Sequence, residues 1–171
     1  MKLRCAVLTI SDGTYAGTRR DLSGPAVAER LAEADHAIVV QAVLPDEREQ
    51  IAAKLRALAG AGDCDAIFTT GGTGLSARDV TPEATHSVIE REIPGFGELM
   101  RAEGLRTTRR AALSRSTAGT LGRTLIVNLP GSPKGAVESL NAILELVPHV
   151  VELLRGSTEH PPSGAPEAKP E

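Results

Sequence analysis

Runs rich in β-branched residues at 3–10 (LRCAVLTI), 37–44 (AIVVQAVL) and 66–70 (AIFTT) alternate with segments of helical spacing, and a fourth run follows at 124–129 (TLIVNL). This alternation constrains the chain more than any other feature. Strands joined through a helix pair in parallel by right-handed crossovers, and a parallel sheet must be covered on both faces. The intervening segments suit crossovers: PAVAERLAEA begins at Pro25, and EREQIAAKLRALAGA begins at Glu47 with Ile51, Leu55 and Leu58 on one stripe. The expected fold class is three-layer α/β, a mainly parallel sheet with helices on both faces. A small polar strand or hairpin element at 111–122 (AALSRSTAGTLG) is expected at the sheet edge.

Local signals divide the rest of the chain. Thr81-Pro82 reads as an N-cap followed by proline at the first helical position, with a helix to about Glu92 that Pro94-Gly95 breaks. A further helix is expected from Phe96. Ser132-Pro133 repeats the cap signature ahead of an amphipathic stripe, Val137, Leu140, Leu144, Val147, Val151 and Leu154, with a kink at Pro148. At 171 residues one core is the expectation, giving a single domain over 1–156. Residues 157–171 (STEHPPSGAPEAKPE) hold four prolines and no large apolar side chain, and are expected to be a disordered tail.

Charge and composition exclude several partners. A net charge of -3 and 2% aromatic residues supply neither a phosphate-tracking basic face nor a stacking platform, so nucleic acid is not an expected partner. No apolar run reaches the roughly 20 residues that cross a bilayer, and the first residues run straight into a strand pattern. With only Cys5 and Cys64, a cytoplasmic, reduced protein is expected. The four histidines lack a second ligand at metal spacing and are read as surface residues.

Ligands of open α/β sheets bind outside the carboxyl ends of the strands, and the unusual residues of this chain fall there. The first strand leads into Ser11-Asp12-Gly13, the second into Pro45-Asp46-Glu47, the third into Gly71-Gly72-Thr73-Gly74 with Asp79 soon after, and the fourth into Pro130-Gly131-Ser132. Each feature has two readings. The glycines serve a tight turn or a phosphate nest of bare N–H groups. Asp46 is the cap of the next helix, with Glu49 completing a capping box, or a ligand-facing acid. Asp12 makes an Asx turn or contacts ligand. Arg78 is a solvated loop charge, and Ser114 and Ser116 are outward residues of an edge strand. Thr81 fills the cap position two residues after Asp79, which leaves Asp79 free to face a ligand. GTGLSA at 72–77 fits a dinucleotide fingerprint only in spelling, because the helix starts too late, and no Gly-Lys-Ser/Thr marks a Walker loop. Carboxylates beside a phosphate nest repel the ligand unless a cation lies between them. Mg²⁺, held by one or two carboxylates plus substrate phosphates, resolves the conflict. The residues therefore point to a magnesium-dependent nucleotide or phosphate-transfer site on Asp46 and Asp79.

TTGGTG at 69–74, ARDVTPEAT at 77–85, PGFGELMR at 94–101, LSRSTAG at 113–119 and LIVNLPGSPKGA at 125–136 together resemble the molybdopterin adenylyltransferase family, with TISDG and LPDE fitting too. The resemblance implies an α/β subunit, commonly in a homotrimer, that adenylylates molybdopterin with Mg-ATP and releases pyrophosphate during molybdenum cofactor synthesis. A molybdenum-inserting protein would act downstream. It makes Asp46 and Asp79 the catalytic, Mg²⁺-holding acids. Gly71, Gly72, Thr73, Gly74, Asn128, Pro130 and Gly131 would border the phosphates and nucleotide, with Thr73 and Ser114 toward the pterin and Ser11 and Asp12 lining the same cleft. One departure is Gly104, where members of the family often carry serine. The alternative is a catalytically silent molybdopterin-binding or scaffold protein of the same fold.

Overall fold

The computed structural model describes residues 1–156, so the expectation for 157–171 lies outside the described residues. In chain order the elements are β1 (Arg4–Ile10), α1 (Asp12–Tyr15), α2 (Ser23–Glu33), β2 (Ala37–Leu44), α3 (Arg48–Ala61), β3 (Ala66–Thr70), α4 (Thr81–His86), β4 (Arg91–Glu92), α5 (Pro94–Thr107), a 3₁₀ turn (Arg109–Leu113), β5 (Ala118–Leu121), β6 (Thr124–Leu129), α6 (Pro133–Ile143) and α7 (Val147–Leu154), with a second 3₁₀ turn (Leu144–Leu146) between the last two. One six-stranded sheet has the order β2-β1-β3-β6-β5-β4. The β1–β2, β1–β3 and β3–β6 pairs are parallel, and β5 runs antiparallel to both β6 and β4.

Alternate residues of the central strands feed two separate cores, as the two-residue period of a strand requires. Cys5, Val7, Phe68, Leu125 and Val127 pack with Val27 and Leu31 of α2, Met100 of α5, Leu140 of α6 and Val151 of α7. Ala6, Leu8, Ile10, Ile67 and Ile126 face the other way, onto Ile51 and Leu55 of α3 and Ala84 of α4. Burial on both faces explains why these strands read as continuous apolar runs. The mixed sheet covered on both faces is the three-layer α/β class expected from the sequence.

Four local expectations are corrected. The helix from Thr81 stops at His86, because Arg91 and Glu92 pair with Thr120 and Gly119 of β5. Its cap position is Val80, with Thr81 already helical. The 111–122 element is not an outer edge: β5 has neighbours on both sides, and Ser116, Thr117, Ala118 and Thr120 are buried within the subunit. His36 is buried, not on the surface. The Ser132 cap is as expected, its hydroxyl accepting from Gly135 N at 3.1 Å. The chain turns at the 3₁₀ residues 144–146, immediately before Pro148 in the first turn of α7.

Candidate active site

The chain moves from β1 to β2 on one side and later to β3 on the other, so the sheet reverses its winding between β1 and β3. At such a switch point the following loops diverge and open a crevice. Here the crevice is stitched at its base. Ser11 N donates to Leu44 O at 2.9 Å, Gly71 N to Leu129 O at 3.2 Å, and Thr70 Oγ1 to Pro130 O at 2.7 Å.

Two of the acids hold each other's loops. Asp12 N donates to Asp46 Oδ2 at 2.8 Å, and Asp46 N donates to Asp12 Oδ1 at 3.0 Å. The carboxylate of Asp46 is thus turned back across the rim. It does not cap α3, whose cap position is Glu47 without a side-chain hydrogen bond. Arg78 is not a free loop charge either: its guanidinium takes both oxygens of Asp12 at 3.0 Å each and Glu47 Oε1 at 2.9 Å. Asp79 accepts from Ser76 N at 2.7 Å through Oδ2, within its own loop.

The glycines answer why bare backbone lies beside these acids. A Cβ on Gly71, where φ is +104°, would sit 2.2 Å from Ile10 O, so β1 and the turn after β3 touch through backbone alone. At Gly72 the added atom would lie 2.3 Å from Thr81 Oγ1 and 3.1 Å from Asp46 Oδ1; at Gly74 it would lie 2.8 Å from Asp79 Oδ2. Both acids are therefore packed directly on glycine.

Two cavities meet over this turn. A polar one of about 330 Å³ is lined by Ser11, Thr14, Arg19, Arg20, Asp46 and Gly71, among others. A second, of about 380 Å³, includes Thr73, Gly74, Met100, Leu113, Ser114 and Pro130. Gly72, Asp79, Gly131 and Ser132 line both. Burial pushes the Asp46 carboxyl above the usual carboxylate range, and the negative charges of Asp12 and Asp79 act in the same direction, against the hydrogen bond from Asp12 N. Asp12 moves the opposite way, held down first by the Asp46 amide and then by Arg78.

The donor set fits a magnesium ion shared with substrate. Asp46 and Asp79 both line the polar cavity, each with Oδ2 engaged by a backbone amide and Oδ1 accepting no hydrogen bond from the described residues. Among the described residues no cluster of three or more His, Cys, Asp or Glu is arranged to hold a metal ion. Two carboxylates are what Mg²⁺ needs when phosphates and water complete its shell.

Residues 6–149 match the family described as "Probable molybdopterin binding domain". The chain belongs to this family. It is 41% identical over 157 residues to the molybdopterin adenylyltransferase of Helicobacter pylori 26695, covering 91% of this chain and 89% of that protein. The Escherichia coli K12 protein of the same name is 37% identical over 168 residues, covering 90% and 86%. Among solved structures, the molybdopterin biosynthesis enzyme MoaB from Thermus thermophilus superposes with a TM-score of 0.85 at 49% identity, covering 91% of this chain and 98% of that one.

Gly104 is closely confined by the turn that follows its helix. A Cβ there would come within 2.7 Å of Ala111 Cβ, so the 3₁₀ turn after α5 packs where a larger side chain would stand. Of the residues expected at the site, Asn128 and Asp12 line neither cavity. Asn128 is fully buried and donates to Thr69 Oγ1 at 3.0 Å and Thr85 Oγ1 at 2.9 Å, so it braces β3, β6 and α4 beneath the site. Its face was readable, since Ile126, two residues earlier, packs on the same side. Arg19 and Arg20 escaped the sequence reading. Their signal is a pair of consecutive cations just after the first strand's loop, at the edge where ligands bind.

Proposed function

We infer that this chain transfers the adenylyl group of ATP to molybdopterin, releasing pyrophosphate, in molybdenum cofactor biosynthesis. The observation that carries the reading is the shared wall of the two cavities: Gly72, Asp79 and Gly131 border both, with Asp46 on the polar side. Two substrates seated one in each cavity would bring their reacting phosphates together there. The cavity with Met100, Leu113, Thr73 and Ser114 suits a flat pterin with polar edges, and the one with Arg19, Arg20, Ser11 and Thr14 suits a triphosphate.

A terminal phosphate oxygen of molybdopterin attacks the α-phosphorus of ATP, the bond from that phosphorus to the bridging oxygen breaks, and pyrophosphate leaves with the electron pair. Little covalent work falls to the protein, so positioning and charge neutralisation supply most of the rate. Asp46 and Asp79 would hold Mg²⁺, which when bound neutralises the phosphates. The N–H groups of Gly72, Thr73 and Gly74 orient phosphate oxygens, and Arg19 and Arg20 offset charge on the leaving side. The tight packing of Asp46 on Gly72 and of Asp79 on Gly74 speaks against a silent scaffold, for which neither acid needs a fixed place.

No helix among the described residues is long and apolar enough to cross a membrane, and we place the protein in the cytoplasm. We also infer a homotrimer, handing its product to a molybdenum-inserting protein. Exposed Leu99 and Leu146, with Ile93 and Phe96 beside them, offer an apolar face for subunit contact. Light scattering should give three times the 17.9 kDa chain mass. The function itself is tested by pyrophosphate release from ATP with and without molybdopterin. Release only in the presence of molybdopterin and Mg²⁺ supports it, and release indifferent to molybdopterin overturns it.

A further inference from the structure

The geometry points to Arg115, paired with Glu83, as the positioning residue that sets where Asp79 stands. Asp79 is carried by the exposed stretch 75–78, and its own side chain bonds only within that loop, to Ser76 N. Arg78 ties the loop's outer edge to Asp12 and Glu47, and the loop's backbone is held by a side chain 36 residues away in sequence from Asp79. Arg115 Nε donates to Gly74 O at 2.7 Å and Arg115 Nη2 to Asp79 O at 2.6 Å, so one planar guanidinium grips the loop where it leaves the glycine turn and where it reaches Asp79. Arg115 N donates to Thr73 O at 3.0 Å, adding a backbone tie one residue earlier. The third guanidinium nitrogen, Nη1, is paired with Glu83 in α4. Burial works against the Glu83 carboxylate, yet its bond from Arg115 holds it below the usual range, so the pair is charged.

This arrangement uses the property that separates arginine from lysine: a rigid fork with donors directed to three acceptors at once. With only the exposed Arg78 contacts to hold it, the backbone at Asp79 would sample positions on a scale comparable to the placement that reaction tolerates. Arg115 lies outside both cavities and touches no reacting atom, so it acts through Asp79.

The proposal rests on the adenylyl-transfer reading for its kinetic test and not for its structural one. In Arg115→Ala, kcat should fall roughly 10- to 100-fold, the cost of displacing a reacting group by up to about 1 Å, while KM for molybdopterin changes less than about threefold. The Mg²⁺ concentration for half-maximal rate should rise. Arg115→Lys should recover only part of the loss, and Glu83→Gln should fall between. Hydrogen exchange on the apo-protein supplies the second arm. Amides of 74–79 should exchange at least about tenfold faster in Arg115→Ala, with β3 and β6 unchanged. A variant with wild-type kcat and magnesium dependence overturns the proposal, as does unchanged protection of 74–79. Protection lost throughout β5 and α4 instead would mark Arg115 as a general stabiliser and overturn it equally. If the wild-type chain transfers no adenylyl group, the activity reading fails, and the exchange arm alone decides on the clamp.

Discussion

Gly74→Ala separates the placement of Asp79 from the stability of the fold. Unlike Gly71 and Gly72, Gly74 does not lie at positive φ, so alanine meets no left-handed strain there. Its Cβ would sit 2.8 Å from Asp79 Oδ2, and ordinary contact begins near 3.4 Å. The carboxylate must therefore retreat by about 0.6 Å, close to the roughly 0.5 Å tolerance of a catalytic constellation, where a full 1 Å costs about 100-fold. Turnover should fall roughly tenfold, or about 1.4 kcal/mol of barrier. The atom displaced is the end of a side chain at a cavity wall, so the melting temperature should stay within about 2 °C of wild type, the shift of well under 1 kcal/mol in a domain of this size. The assay is initial-rate pyrophosphate release over a magnesium titration, beside thermal unfolding of the same samples. Wild-type turnover in Gly74→Ala would refute the claim that Asp79 acts from the position seen here. A drop in melting temperature with proportionate loss of rate would refute the separation of placement from stability.

Three further outcomes are expected. Asp46→Asn keeps an acceptor for Asp12 N and removes a partly buried charge near Asp12 and Asp79. Because the folded-state pKa is raised, ionisation of Asp46 weakens the fold as pH rises, so at pH 7 the variant should melt at or above the wild-type temperature while losing about 100-fold or more in rate; a lower melting temperature with normal rate would restore a structural role. Burial alone would push the Asp65 carboxyl up, but hydrogen bonds from Arg4 and Arg155 hold it at about 2, below its ordinary 3.8. A depressed acid stabilises above its unfolded pKa and loses that contribution as pH falls. Asp65→Asn should therefore cost up to roughly 2 kcal/mol at pH 7, less some screening of the half-exposed arginines, and converge with wild type near pH 2 in urea titrations. Asn128→Ala, which removes two buried hydrogen bonds, should lower stability by about 1–3 kcal/mol with little change in KM for ATP, and a KM effect without a stability loss would return Asn128 to the ligand.

The parts of the fold set by local chemistry were legible in the sequence, and those set by distant partners were not. The runs at 66–70 and 124–129 match β3 and β6 because residues buried on both faces leave an unbroken apolar signature, whereas 37–44 matches β2, a half-buried terminal strand, through its β-branched content. Ser132-Pro133 marked its helix for the same reason: cap and proline act within one turn. Thr81-Pro82 carries the same kind of signal, yet Thr81 is inside the helix with its buried hydroxyl unpaired among the described residues, and the helix yields after His86 to pairing with a strand some 30 residues later. Asp46 shows the limit at the site. Its capping box is locally sound, but Asp12 N, brought alongside by β1–β2 pairing, takes the carboxylate instead. The acids and glycines were found because strand ends in a parallel sheet share one edge. The grip of Arg115 on the 74–79 loop and the partners of Asn128, though not its face, depend on contacts between segments distant in sequence that no spacing announces.

The most direct test of adenylyl transfer is to follow the α-phosphorus itself. With ATP labelled at that position, molybdopterin and Mg²⁺, the label should appear in a molybdopterin–AMP conjugate, identified by its mass, in a one-to-one ratio with unlabelled pyrophosphate. Asp46→Asn and Asp79→Asn should form it at least about 100-fold more slowly. Label remaining in ATP, or recovered as free AMP without the conjugate while molybdopterin is present, would contradict the assignment of the two cavities to the two substrates of this reaction.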